Sequence, residues 1–282
     1  MGLIGILRVL RWRAAGHLSR PLPAAFLTPL QGARALEIGG PSAVFQGDGL
    51  LPAYPALASV DGVQWSRTTV WHGAMEEGRY EPDGNGVGGR LWILEAADIG
   101  AIPDASYDAV LSSHVIEHIA NPVRALREWR RVIRPGGHLL AVVPHKEGTF
   151  DHRRPTTPLN HMIDDERKRT GEDDLTHLDE ILALHDLTRD PAAGDFDEFA
   201  RLRRDNVHHR VIHHHTFTTR SLLELIDHID LQIVAAETRW PHDIYCLARV
   251  PVEGELANNC AFLDSSADVL RSSPFHCDRS QR

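Results

Sequence analysis

The chain has 282 residues, 42% of them hydrophobic, with a formal net charge of −9 and 18 histidines. That length and apolar content suit one large domain carrying an insertion, and the negative charge excludes a general nucleic-acid or polyanion binder. Cys246, Cys260 and Cys277 show no metal-like CxxC spacing, so reduced thiols in a cytoplasmic chain are expected.

No run is long enough to cross a membrane. Residues 1–32 form a separate opening segment that begins MGLIGILRVLRWRAAGHL. Arg8, Arg11 and Arg13 interrupt the apolar core that a signal peptide needs. An interfacial helix is one reading. The preferred one is a helix packed on the domain or on a partner subunit, which allows a homodimer.

Residues 33–45 read ARALEIGGPSAVF. Ala35 to Ile38 is a short apolar strand holding Glu37, and Gly39-Gly40 turns the chain. The GxGxxG of a dinucleotide site is absent, because Pro41, Ser42 and Ala43 follow. Leu57 to Val60 is a second strand with Asp61 at its end. Asp61 lies about twenty residues beyond the glycine turn, where nucleoside-binding sheets set an acid against ribose hydroxyls. Asp61-Gly62 is also a common turn dipeptide. Residues 66–90, rich in Gly, Glu and Asp, read as a surface excursion. Trp65 and Trp71 flank it and either wall a bound base or join the core. Leu91 to Ala97 is a third strand, followed by Asp98-Ile99.

The most informative run is 107–145, YDAVLSSHVIEHIANPVRALREWRRVIRPGGHLLAVVPH. Ala109 to Leu111 is an apolar strand bounded by Ser112-Ser113. Asn121-Pro122 starts a helix, since Asn caps and Pro suits the first turn. Val123, Leu126, Trp129 and Ile133 recur at helical spacing, and Arg134-Pro135-Gly136-Gly137 stops the helix. Leu139 to Val143 is a second buried strand closed by Pro144. Strand, crossover helix and strand make a right-handed parallel unit. Ligands in such sheets sit beyond the carboxyl ends of the strands, where Ser113-His114 and Pro144-His145 fall.

This pair of motifs resembles class I S-adenosylmethionine (SAM) dependent methyltransferases, of the type 11/23 kind that includes bacterial sugar O-methyltransferases. The resemblance implies an α/β fold: a Rossmann-like sheet of seven mainly parallel strands, the last antiparallel, with helices on both faces and a helical insertion. It implies SAM as cofactor, held by Glu37, Gly39, Gly40, Ser42, Asp61, Asp98, Ile99, Ser113 and His114. In the family an acid ends the first strand, glycines let backbone approach the cofactor, and an acid after the third strand faces the adenine amino group. The chain departs from the family's three spaced glycines, with Ser42 near the last one. The expected organisation is a SAM-binding core over 33–145, a lid over 146–210, the rest of the sheet over 211–250, and a mobile tail or dimer arm over 251–282.

In the lid, Leu175 to His185 and Phe196 to Leu202 read as helices. Phe150-Asp151-His152-Arg153-Arg154-Pro155 is dense in polar side chains able to hold a hydroxylated ligand. On a strand, His213 and His215 share one face and His214 points elsewhere. Thr218 or Thr219 caps a helix over Ser221 to Ile229, and Leu231 to Glu237 and Ile244 to Val250 form a closing hairpin.

His114-Val115-Ile116-Glu117-His118 matches HxxEH, the inverted zinc-protease signature, so a zinc hydrolase is an alternative that needs a long helix there. A non-catalytic SAM-fold scaffold is a second alternative. Within the methyltransferase, Glu117, His118 and Asp151 are candidate ligands for a divalent ion such as Mg²⁺, with His145 and His213 to His215 nearby in prospect. His145 is the leading general base and His114 its rival. A pocket edge rich in His and Asp favours O-methylation of a small polar acceptor, most simply a sugar or oligosaccharide.

Overall fold

The computed structural model describes residues 22–82 and 86–280. The expected helix at the chain start falls largely outside these residues. Within them, 22–32 form two 3₁₀ turns, Ala24–Phe26 and Thr28–Leu30, that bury Leu22, Phe26 and Leu30.

Seven strands form the main sheet: β1 (Arg34–Ile38), β2 (Ser59–Gln64), β3 (Leu91–Ile93), β4 (Tyr107–Ser113), β5 (Ile133–Pro144), β6 (Gln232–Arg239) and β7 (Asp243–Arg249). Their order is β3-β2-β1-β4-β5-β7-β6. The first five are parallel, and β7 runs antiparallel to both β5 and β6. Strand order reverses beside β1, which opens a crevice at the carboxyl ends of β1 and β4.

The period-two rule sorts each central strand onto two cores. Leu36, Ile38, Val110, Leu139, Ala141, Val143, Ile244, Cys246 and Ala248 face one of them. Ala35, Ala109, Leu111, Leu140, Val142, Tyr245 and Leu247 face the other. The first core is covered by helix α1 (Pro122–Val132) and by α6 (Thr219–His228); the insertion helices α2 (Leu159–Lys168), α3 (Leu178–Leu184), α4 (Phe196–Arg204) and α5 (Asn206–His209) lie between them in the chain. Among the described residues, the second core is covered by 3₁₀ turns over 22–57.

Local chemistry sets these helix ends. The Asn121 side chain accepts from the Arg124 amide at 3.0 Å, and Pro122 opens α1. Thr218 caps α6, its Oγ1 accepting from the Ser221 amide. Trp129 is buried and donates its indole N–H to the Ala96 carbonyl at 2.9 Å.

Several boundaries differ from the sequence reading. Helix α1 stops at Val132 and β5 begins at Ile133, so Arg134 to Gly137 lie in the strand, and β4 extends over Tyr107–Ser113. Strand β2 runs on to Gln64, because pairing with β1 and β3 continues that far. Strand β3 stops at Ile93, and residues 95–98 close a tight turn bridged from Glu95 to Asp98. The segment after β7 is no free arm. It folds into α7 (Cys260–Leu263), α8 (Asp268–Arg271) and α9 (His276–Ser280), burying Leu270, Phe275 and Asp278 against the sheet.

Candidate functional site

The carboxyl ends of β1 to β5 lie side by side, and the insertion packs over them. The chain leaves β1 through Gly39, whose φ of +77° is in the left-handed region that glycine alone enters freely. A Cβ there would overlap Val115, and one on Gly40 would overlap Glu37 and Tyr80. The Gly39 amide donates to the Val63 carbonyl at 2.9 Å, and the Gly40 carbonyl accepts from the Gln64 side-chain amide.

Glu37 is fully buried behind this turn. Its Oε2 accepts from Tyr54 at 2.8 Å and Tyr80 at 2.5 Å, and its Oε1 accepts from the Ser42 amide at 3.1 Å. Burial raises its pKa above the usual carboxylate value, against the lowering effect of those bonds. The expected cofactor contact from Glu37 is therefore corrected: its carboxylate is enclosed, and it acts by holding the turn. Ser42 keeps its place in the turn through its backbone amide.

Asp61 is also corrected. It pairs with Leu36 in mid-strand, not at the strand end. Its carboxylate accepts from the Arg90 amide and the Tyr107 hydroxyl, both at 2.7 Å, away from the crevice. Gln64 and Trp65 stand at the β2 carboxyl end instead. Asp98 is exposed and paired with Arg124 at 2.8 Å, and Ile99 is buried in the first core. Glu95, just past β3, stands at the strand end and takes the Arg210 guanidinium at 2.7 Å. Arg210 also pairs with Glu172 at 2.7 Å and lies 5.0 Å from the centre of the Trp65 ring, so this arginine ties the insertion to β2 and β3. Trp71 is exposed, its ring 5.5 Å from that of His118.

His114 follows Ser113 at the end of β4 with φ of +54°, rare for a residue with a side chain. Its amide donates to the Val142 carbonyl, and its Nε2 meets Asp243 Oδ1 at 3.0 Å. Asp243 Oδ2 accepts from Tyr245 at 3.0 Å. Burial alone would lower the His114 pKa, but the bond and charge of Asp243 outweigh it and hold it above the usual value. Asp243 responds in kind: burial favours a raised pKa, and His114 pulls it below the usual range.

His145 is not available as a base. It is fully buried, its Nδ1 accepts from the Glu147 amide at 3.2 Å, and its Nε2 donates to Asp278 Oδ1 at 3.3 Å. The Phe275 ring stacks on it at 3.8 Å. It is a structural clasp between β5 and the C-terminal segment.

The HxxEH helix does not form. Ile116–His118 is a 3₁₀ turn, and His114 and His118 serve different partners. His118 donates Nδ1–H to the Ile212 carbonyl at 3.0 Å. His213 meets Asp151 through Nδ1 at 2.5 Å, which leaves its Nε2 as the remaining ring nitrogen. Glu117, His118 and His213 each bring one ligand-capable atom within 4.8 Å of the others. Both Glu117 oxygens are buried without a hydrogen-bond partner. Burial raises the Glu117 pKa and lowers that of His118 well below the usual value. Asp151 is corrected as a metal ligand. It is spent on His213 and on Arg154 at 3.0 Å, which hold its pKa far below normal although burial alone would raise it. Arg154 is buried and also binds Glu180 at 2.7 Å, so the polar run 150–155 is satisfied internally and not free for an acceptor. His213, His214 and His215 do not lie on a strand. They turn to Asp151, to Asn206 and to the Ala120 carbonyl respectively.

Residues 56–141 match the methyltransferase domain family. Within sequence relatives, a probable S-adenosylmethionine-dependent methyltransferase of Mycolicibacterium smegmatis is 44% identical over 59 residues, covering 21% of this chain and 22% of that one. The ubiquinone/menaquinone biosynthesis C-methyltransferase of Hahella chejuensis is 30% identical over 86 residues, 30% of this chain and 31% of that one. The chain thus spans less than a third of the length of these relatives. Among solved structures, an S-adenosylmethionine-dependent methyltransferase from Mesorhizobium loti aligns with a TM-score of 0.47 at 14% identity, over 80% of this chain and 94% of that one. With its strand order and a glycine turn closing β1, the chain has the Rossmann-like sheet of class I methyltransferases, and residues 56–141 carry the match to the methyltransferase domain family.

Proposed function

We propose that this chain transfers a methyl group from SAM to a hydroxyl of a small polar acceptor, most simply a sugar or oligosaccharide. The observation that carries the reading is the β1 turn. Backbone without a Cβ at Gly39 and Gly40 lies at the crevice beside the β4 end, where His114 is held by an acid. SAM, when bound, would supply an electrophilic methyl: the acceptor oxygen would bond to that carbon in line as its bond to sulfur breaks, and S-adenosylhomocysteine would leave.

The rest falls to the chain's own residues. Gly39 and Gly40 admit the cofactor, with Ser113 and the His114 backbone along the β4 edge. Gln64 stands at the strand end where an acid for the ribose was expected. Glu95 is the acid suited to the adenine amino group. His114 is the base: Asp243 takes its Nε2–H, which leaves Nδ1 to accept the acceptor's proton. Glu117, His118 and His213 suit a divalent ion, since Glu117 offers two unpartnered buried oxygens and each histidine anchors its Nδ1 on the protein. Such an ion would lower the acceptor hydroxyl's pKa and orient it.

The test is calorimetric titration with S-adenosylhomocysteine. Gly39→Val drives a side chain into Val115 at a positive φ, which should displace the β1 turn and weaken binding by about 10²-fold or more. Circular dichroism of the variant checks its fold. Equal affinity in a folded variant would remove the site assignment. Methyl transfer screened across sugars and phenols then addresses the acceptor.

A further inference from the structure

Three histidines outside the methyl-transfer site converge in the insertion. His161 lies in the first turn of α2, His177 immediately precedes α3, and His215 lies on the segment entering α6. One donor atom from each lies within 4.8 Å of the other two. The Nε2 atoms of His161 and His177 face each other at 3.0 Å, so at most one proton fits between them. His215 Nε2 makes only a long contact, 3.4 Å, to the Ala120 carbonyl, and its Nδ1 is buried without a partner.

Asp165 stands one turn after His161 on the same face of α2. Its Oδ2 is 3.5 Å from His161 Nε2 and 3.8 Å from His215 Nε2, and it too is buried with no hydrogen bond. Its Oδ1 is fixed by the Thr170 hydroxyl at 3.0 Å. Buried polar atoms without partners are uncommon, and Asp165 Oδ2, set beside the Nε2 atoms of His161 and His215, needs an explanation.

We propose that His161, Asp165, His177 and His215 form a zinc site. Three imidazoles and a carboxylate are a four-ligand set that zinc accepts tetrahedrally. Ligand bonds of about 2.0–2.2 Å in a tetrahedron hold the ligand atoms about 3.3–3.6 Å apart. The separations of 3.0, 3.5 and 3.8 Å bracket that range. Magnesium would instead want six oxygens. The Thr170 hydroxyl supplies the outer hydrogen bond that orients a metal-binding carboxylate. The site shares no residue with Glu117, His118 and His213, and it stands whether or not the chain methylates anything. Its role is to staple α2, the approach to α3 and the approach to α6, which holds the insertion over the crevice.

Zinc content is measured by elemental analysis on the full chain, prepared without a histidine tag, loaded with zinc and desalted. His161→Gln and His177→Gln change half-exposed side chains and should each lose one zinc equivalent, whereas His118→Ala should keep it. Zinc retained in both glutamine variants overturns the proposal. Cobalt titrated into the metal-free His118→Ala chain should give the strong visible absorption of a tetrahedral ion. A weak, octahedral spectrum overturns it equally, even if the glutamine variants fail to fold.

Discussion

In the proposed mechanism His114 is the base and Asp243 its partner, and the two hold each other's pKa away from the usual value, His114 above and Asp243 below. The base must be neutral to accept a proton. Turnover should therefore rise with pH through the raised His114 pKa, with the acid limb above about 6.5. Asp243→Asn removes the charge that raises it, so that limb should move to lower pH. His114→Ala should cut turnover by roughly 10²-fold or more while S-adenosylhomocysteine still binds. An unmoved limb in Asp243→Asn would sink the assignment. The stability linkage has its own sign. A raised histidine pKa stabilises the fold below about 6.5 and loses that contribution as pH climbs through the folded value. The lowered Asp243 pKa contributes above about 3.9 and loses it as pH falls. The pair thus stabilises most between those limits.

At the scale of elements, the proposed function makes Glu95, which follows the end of β3 at Ile93, the acid that meets the cofactor in place of Asp98. Asp98 is turned outward to Arg124. Glu95→Ala should weaken S-adenosylhomocysteine binding by about 10-fold, near 1.4 kcal/mol. Asp98→Ala should leave it within error. The reverse pattern in calorimetry would restore the longer β3. The cause of the misreading is physical. Leu94, Ala96 and Ala97 are apolar enough to extend a strand on paper, yet β2 offers pairing only through Gln64.

Across the whole molecule, the chain's last described helix returns to the sheet. Asp278 accepts from the Thr219 amide at 3.2 Å, the Thr219 hydroxyl at 2.5 Å, Ser273 at 2.6 Å and His145 at 3.3 Å. Asp278→Ala leaves those donors buried and unpaired. It should destabilise the fold by about 3 kcal/mol, read as a lower urea midpoint. A change under about 0.5 kcal/mol would mean that residues 264–280 lie outside the cooperative unit.

The sequence by itself determined what depends on neighbours in the chain. Asn121-Pro122 and the helical spacing of Val123, Leu126 and Trp129 specify the β4–α1–β5 unit locally, and the resemblance to class I methyltransferases rests on it. Gly39-Gly40 was legible for the same reason, since a turn needs only its own residues. Tertiary structure decided everything that rests on a distant partner. His145 and His114 look alike in sequence, each just after a central strand. They part only because Asp278, 133 residues on, encloses the first, while Asp243 leaves the second at the crevice. His213, His214 and His215 are adjacent in the chain, and their three separate destinations are set by irregular backbone packed against Asp151, Asn206 and Ala120. Periodicity carries direction along a helix or strand, and over 211–216 there is neither.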